Sequence, residues 1–301
     1  MNLIQSSVNM LVRNEQIKKF IRDNPLDESL DIRIPNPKFT YKGDNIIKKV
    51  IAAILAGKNI LLVGPKSTGK NVLAENISKL FYRPMWNVSF HVNIDSSILI
   101  GTDTLKNGEV VFRKGPVTRA AEAGGFLILD EINMARNEAL ATLHSILDYR
   151  RLIDIPGYEL IKINPATRFI ATMNYNYEGT RELNEALLSR FVIIDMPIIE
   201  EASLKELLKE NYPSLSDSML DQVAKLFYDI KKKAEAGEIS DTAIDLRGIF
   251  DSLDLFKEGL EYNEALCMCL VNKVFDPYEK GLIEDVIKSR FKKDLYLGDP
   301  V

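Results

Sequence analysis

Between residues 41 and 197 the chain alternates helical patterns with five short, largely apolar runs, and this alternation constrains the fold more than any other feature. The runs are Ile60–Val63, Met85–Phe90, Phe126–Leu129, Phe169–Thr172 and Phe191–Ile194. Consecutive apolar residues over so few positions imply burial on both faces, as in a mostly parallel sheet flanked by helices. Beyond Pro197 the strand runs stop. Glu200–Glu210, Asp217–Ala236, Ala243–Glu258, Tyr262–Val274 and Glu279–Arg290 carry the spacing of amphipathic helices instead. Residues 1–24 also read as helical, closed by Asn24-Pro25. Ile34-Pro35-Asn36-Pro37 then marks an extended connector, because proline and the residue before it both resist helix. The expected organisation is an N-terminal helical segment and linker over residues 1–40, an α/β core over 41–197, and a C-terminal α-helical domain over 198–301.

Directly after the first run stands Gly64-Pro65-Lys66-Ser67-Thr68-Gly69-Lys70-Asn71, followed by a helix over Val72–Phe81. It meets the phosphate-loop pattern G-x-x-x-x-G-K-[ST] at every position but the last. Gly64 and Gly69 allow sharp backbone turns, so that successive N–H groups converge on a phosphate at a helix N-terminus. Lys70 would reach the outer phosphate oxygens. Asn71 stands where a hydroxyl normally meets Mg²⁺. Its amide oxygen is a legitimate ligand one bond farther out. Direct coordination, coordination through water, and weakened or absent hydrolysis all stay open at this position.

The run Phe126–Leu129 ends in Asp130-Glu131, 60 residues beyond Lys70. A buried strand ending in two carboxylates delivers both to the carboxyl edge of the sheet, where ligands of α/β folds bind. Asp130 would hold Mg²⁺, and Glu131 would orient and deprotonate an attacking water. No Asn-Lys-x-Asp base-reading motif occurs, so ATP is the expected nucleotide.

The ordered set of Gly64–Asn71, Leu129-Asp130-Glu131-Ile132-Asn133-Met134-Ala135, Ala171-Thr172-Met173-Asn174 and Ala186-Leu187-Leu188-Ser189-Arg190-Phe191 resembles MoxR-type AAA+ ATPases. Its nearest likeness is to their dynein-related branch of CbbQ, NorQ and GvpN-like proteins. The resemblance covers residues 41–196 and, more loosely, the helical remainder. It implies a P-loop AAA+ core with a mostly parallel five-stranded sheet, a helical lid domain, and ATP and Mg²⁺ as ligands. It also implies a homo-oligomeric, hexameric ring that remodels or matures a protein client, with a separate partner of the von Willebrand factor A type. Asn174 matches the sensor-1 asparagine that places the lytic water. Arg190, closing a short helix over Arg181–Ser189, matches the arginine finger that reaches a neighbour's γ-phosphate. Arg247 matches the sensor-2 arginine. The plainer alternatives are a turn residue at 174, a helix-end cation at 190 and a surface ion pair at 247. Two hairpins, Leu105–Phe112 turning at Asn107-Gly108 and Arg151–Ile163, look like the family's inserted hairpins or else like ordinary surface ones.

Composition trims the alternatives. The formal charge of −4 gives no basic surplus for nucleic acid, although the McrB restriction motor shares the Asp-Glu-Ile-Asn phrase and a nucleic-acid motor is the second reading. A nucleotide-gated scaffold with little turnover is the third, prompted by Asn71. Lys231–Lys233 and Lys292-Lys293 read as solvated helix faces. No 18-residue apolar stretch and no signal-peptide core are present, so a cytoplasmic, membrane-free protein is expected. Cys267 and Cys269, two apart on a helix, do not face one another, and His91 and His144 lack zinc-site spacing.

Overall fold

The five apolar runs become five parallel strands. The computed structural model describes residues 14–155, 157–158, 160–174, 182–291 and 295–297. Packing divides the chain into two units, Met1–Pro65 with Gly69–Pro197, and Lys66–Thr68 with Ile198–Val301.

In the first unit, residues 14–23 are helical and Glu28–Arg33 form a 3-10 helix. There follow α1 (Asp44–Leu55), β1 (Asn59–Val63), α2 (Lys70–Leu80), β2 (Met85–Ser89), α3 (Ser96–Ile100), β3 (Gly101–Lys106) and β4 (Glu109–Lys114). Next come α4 (Pro116–Ala123), β5 (Phe126–Asp130), α5 (Asn137–Ile146), β6 (Leu152–Ile153), β7 (Ile161–Lys162), β8 (Arg168–Met173), α6 (Glu185–Leu188) and β9 (Phe191–Asp195). The main sheet has the order β2-β5-β8-β1-β9, and every neighbouring pair is parallel.

Alternation between two buried faces explains the continuous runs of the inner strands β5, β8 and β1. The edge strands depart from the expected two-sided burial, β9 leaving Val192 and Ile193 exposed and β2 leaving Asn87 and Ser89 exposed. Leu61, Val63, Leu127, Leu129, Phe169 and Ala171 join the core on one face, with α4 and α5. Ile60, Leu62, Phe126, Ile128, Ile170 and Ile194 join the core on the other, with α1 and α2. Each fully buried aliphatic side chain contributes about 1.5–3 kcal/mol, so a polar group enters these faces at a cost unless it is hydrogen-bonded. Among the described residues three charged side chains are nevertheless buried, Lys70 in the phosphate loop, Arg83 and Arg168, and backbone carbonyls accept from all three. Arg83 donates to Asn24 O and Tyr82 O, while Arg168 donates to Ile54 O, Pro165 O and Thr167 O.

Both expected hairpins form. The first is longer than its turn signal suggested, pairing Gly101–Lys106 with Glu109–Lys114 around Asn107 (φ 54°) and Gly108 (φ 86°). It separates α3 from α4. The second pairs only Leu152-Ile153 with Ile161-Lys162. The two touch, since Tyr158 donates to Asp103 at 2.6 Å and its ring lies 4.9 Å from that of Phe112.

The second unit contains α7 (Glu201–Asn211), α8 (Asp217–Glu235), α9 (Leu246–Lys257), α10 (Tyr262–Cys269) and α11 (Pro277–Arg290). Two expected helices are shorter than their periodicity implied. Residues 241–243 form a separate 3-10 turn before α9, and α10 ends at Cys269, followed by a 3-10 turn over Val271–Lys273. Both cysteines are free, Cys269 buried and Cys267 partly so. The helix expected over Arg181–Ser189 is only the four residues of α6, capped by the Asn184 side chain on Ala186 N. Arg181 itself, with the Lys292-Lys293 pair, lies outside the described residues.

Candidate functional site

The phosphate loop leaves β1 at a point where only glycine fits. A Cβ on Gly64 would lie 2.4 Å from the carbonyl oxygen of Met196, a backbone atom that cannot swing aside. That closeness follows from the sheet, because Met196 N donates to Val63 O at 2.7 Å as β9 runs beside β1. At the far end Gly69 adopts φ 77°, ψ 26°, the left-handed region that glycine enters without strain, and starts α2. Gly69 supplies no capping side chain, so the first turn of α2 has the N–H groups and dipole end suited to an anion. The ring of Tyr41 packs over Gly69, 3.3 Å from where a Cβ would sit. Pro65 is exposed, Lys66 and Ser67 half-buried, and Thr68 buried. Within the second unit, Ser67 (φ 62°) donates its hydroxyl to Ile244 O at 3.0 Å and accepts Leu246 N–H at 3.3 Å.

Helix α2 begins at Lys70, two residues earlier than its apolar spacing suggested, which puts the ammonium inside the loop. Lys70 is 9% exposed and donates to Gly64 O at 2.9 Å and Pro65 O at 2.7 Å. Burial pushes its pKa down to about 8, against the opposing pull of Asp130 and then Glu131.

Asp130 ends β5, and each of its oxygens accepts a side-chain hydrogen bond. Asn71 Nδ2 donates to Oδ2 at 2.9 Å, and Thr172 Oγ1 donates to Oδ1 at 2.5 Å. Thr172 is 1% exposed, and the same oxygen accepts Glu131 N–H at 3.0 Å. Glu131 needs that partner because its backbone turns left-handed, φ 54° and ψ 45°, which costs a non-glycine residue about 1–2 kcal/mol. Its carboxylate Oε1 accepts from Asn174 Nδ2 at 3.2 Å. Asn133, 3% exposed, donates from Nδ2 to Asn174 O at 3.1 Å. Lys70, Asn71, Asp130, Glu131 and Asn174 are thus drawn together at the carboxyl edge of one sheet.

Thr172, Asn133 and Tyr41 carried no role in the sequence reading. Thr172 lies on β8 two residues before Asn174, which directly follows the strand, so its nearness to the site was available from sequence spacing. Asn133 sits in the Asp-Glu-Ile-Asn phrase. Nothing local marks Tyr41.

Within the first unit, Arg190 is held apart from this cluster by other partners. Arg190 donates from Nε to His144 O at 3.0 Å and from Nη1 to Ala186 O, and its Nη2 lies 4.0 Å from Asp148 Oδ2. Its charge, added to burial, holds the His144 pKa below the ordinary imidazole value. Arg247 is exposed at the second position of α9, in the second unit.

The donor set suits a magnesium nucleotide. Carboxylate oxygens favour a hard cation, and a lysine at a glycine-turned helix start favours phosphate. Comparison with known proteins gives the family. The AAA domain of the dynein-related subfamily matches residues 59–191, which span β1 to the start of β9. The uncharacterized protein YojN of Bacillus subtilis strain 168 is 34% identical over 276 residues, covering 90% of each chain. The uncharacterized protein SH1500 of Staphylococcus haemolyticus is 35% identical over 260 residues, covering 84% of this chain and 98% of that one. A crystal structure from Cytophaga hutchinsonii aligns with a TM-score of 0.48 and 17% identity over 94% of this chain and 89% of its own, a likeness too loose to bear on mechanism. Among the described residues no helix is long and apolar enough to cross a membrane.

Proposed function

Since the chain belongs to the dynein-related AAA family of ATPases, we propose that it hydrolyses Mg-ATP in a homo-oligomeric, hexameric ring and uses the cycle to remodel or mature a protein client. The observation that carries the reading is the meeting of Lys70 with Asp130, Glu131 and Asn174 at one sheet edge. Lys70 binds the β- and γ-phosphate oxygens, exchanging loop carbonyls for a charged partner. Bound Mg²⁺ supplies neutralisation of charge on those oxygens. Asp130 would hold that ion, and Glu131 would take the proton from the water that attacks the γ-phosphorus as the bond to the β–γ bridging oxygen breaks and ADP leaves. Asn174 keeps the Glu131 carboxylate aimed, and Arg247 would act as sensor 2. The client's recruiting partner would be a separate polypeptide with a von Willebrand factor A domain.

Arg190 is the finger in this reading, reaching a neighbour's γ-phosphate after leaving His144 and Ala186. Two inactive proteins test it together, Arg190→Ala and Lys70→Ala. Mixed rings pair an intact loop from the first with an intact finger from the second, so activity returns on mixing, and wild-type specific activity climbs with protein concentration. No complementation, with turnover independent of concentration, would remove the ring from the proposal. Magnesium-dependent ATP binding with negligible phosphate release at assembling concentrations would leave the scaffold reading, which Asn71 prompts.

A further inference from the structure

Asp130 is gripped from two sides. Strand β8 lies between β5 and β1, and the backbone ladder from β5 reaches Leu129 opposite Ala171. One step farther, while the Asp130 backbone carbonyl accepts Phe90 N–H from the β2 side, its side chain meets that of Thr172, and Oγ1–H falls on Oδ1. From the start of α2, Asn71 Nδ2–H falls on Oδ2. The orientation of that amide is dictated by chemistry, because an ionised carboxylate only accepts. The amide nitrogen must face Asp130, and the amide oxygen turns elsewhere. A serine or threonine at 71 would offer a single oxygen both to Asp130 and to the metal, whereas Asn71 spends an N–H on the carboxylate.

We infer that Asn71 and Thr172 are positioning residues that clamp the two oxygens of Asp130, so that Asn71 serves the nucleotide's metal through Asp130 and not as an independent ligand. The inference rests on the Mg-ATP reading of this site. Thr172 has a second duty that Asn71 lacks, accepting the N–H of the left-handed Glu131, so one hydroxyl ties the metal-holding acid to the backbone of the base.

The test separates metal from nucleotide. ATP affinity is measured in EDTA, and the Mg²⁺ concentration giving half-maximal binding of a non-hydrolysable ATP analogue is measured separately. Asn71→Ala, at an exposed position, should raise the Mg²⁺ half-point by about 10–100-fold, the usual loss when a ligand's orienting partner is removed. Metal-free ATP affinity should stay within about twofold, because Lys70 and the loop are untouched. Thr172→Val should behave alike and Thr172→Ser should restore the wild-type half-point. Thermal melting checks that both fold. The decisive step is a double-mutant cycle with Asp130→Ala. Acting through Asp130, Asn71→Ala adds little in that background; effects that sum in full make Asn71 a separate ligand and overturn the inference. An unchanged half-point in Asn71→Ala, or equal losses with and without Mg²⁺, overturns it too. If the wild type binds no ATP, or binding survives Lys70→Ala, the nucleotide reading falls first and the clamp with it.

Discussion

Binding of a magnesium nucleotide at pH 8 to 9 should draw protons from the buffer, and the amount follows from Lys70. Burial sets its pKa at about 8 in the protein alone. Phosphate oxygens beside the ammonium favour the charged form and return the pKa to its ordinary 10.5 or above. Uptake per site then equals the fraction neutral beforehand, about 0.1 at pH 7, about 0.5 at pH 8 and about 0.9 at pH 9. The terminal phosphate of the nucleotide, which titrates near pH 6, adds nothing above pH 8. Isothermal titration with a non-hydrolysable ATP analogue, in buffers of differing ionisation enthalpy, reads uptake as the slope of observed heat against buffer heat. The same shift has a stability counterpart. Between pH 8 and 10.5 the unfolded chain keeps the proton that folded Lys70 has lost, so stability without nucleotide rises across that window, by up to about 3 kcal/mol. A slope near zero throughout pH 7–9, or one that falls with pH, would refute the buried, nucleotide-contacting lysine.

Two further variants probe the loop and the base. Gly64→Ala pushes a methyl to within 2.4 Å of Met196 O, so it should cost about 1–3 kcal/mol and weaken ATP binding more than tenfold; a folded variant with wild-type affinity in the same titration would show that the turn relaxes freely. Glu131→Gln should keep nucleotide affinity and lower steady-state phosphate release by on the order of 10²–10⁴, while an equal loss of binding would make Glu131 a structural residue.

The strand, turn and helix around Gly64–Lys70 and the strand ending in Asp130-Glu131 were legible in order because their causes are local. Two-sided burial forces continuous apolar runs, and a helix start must follow Gly69. Asn107-Gly108 was equally plain, since its two positive φ angles need those residue types. Periodicity overstated helices wherever a tertiary contact or cap broke them, as at Asn184 before α6 and in the 3-10 turn before α9. Strand order was beyond the sequence, because apolar runs of similar length do not say which neighbours which. Only the order β2-β5-β8-β1-β9 sets Thr172 beside Asp130 and beneath Glu131, and only the path of α2 brings Asn71 onto the same carboxylate. Arg190 makes the same point, for its present partners, His144, Ala186 and Asp148, include two residues about 40 positions upstream. Sequence determines which groups a chain carries to the ends of its strands, through burial that each residue meets locally. Which groups then share a hydrogen bond depends on strand register and helix packing, which arise only when the whole sheet closes.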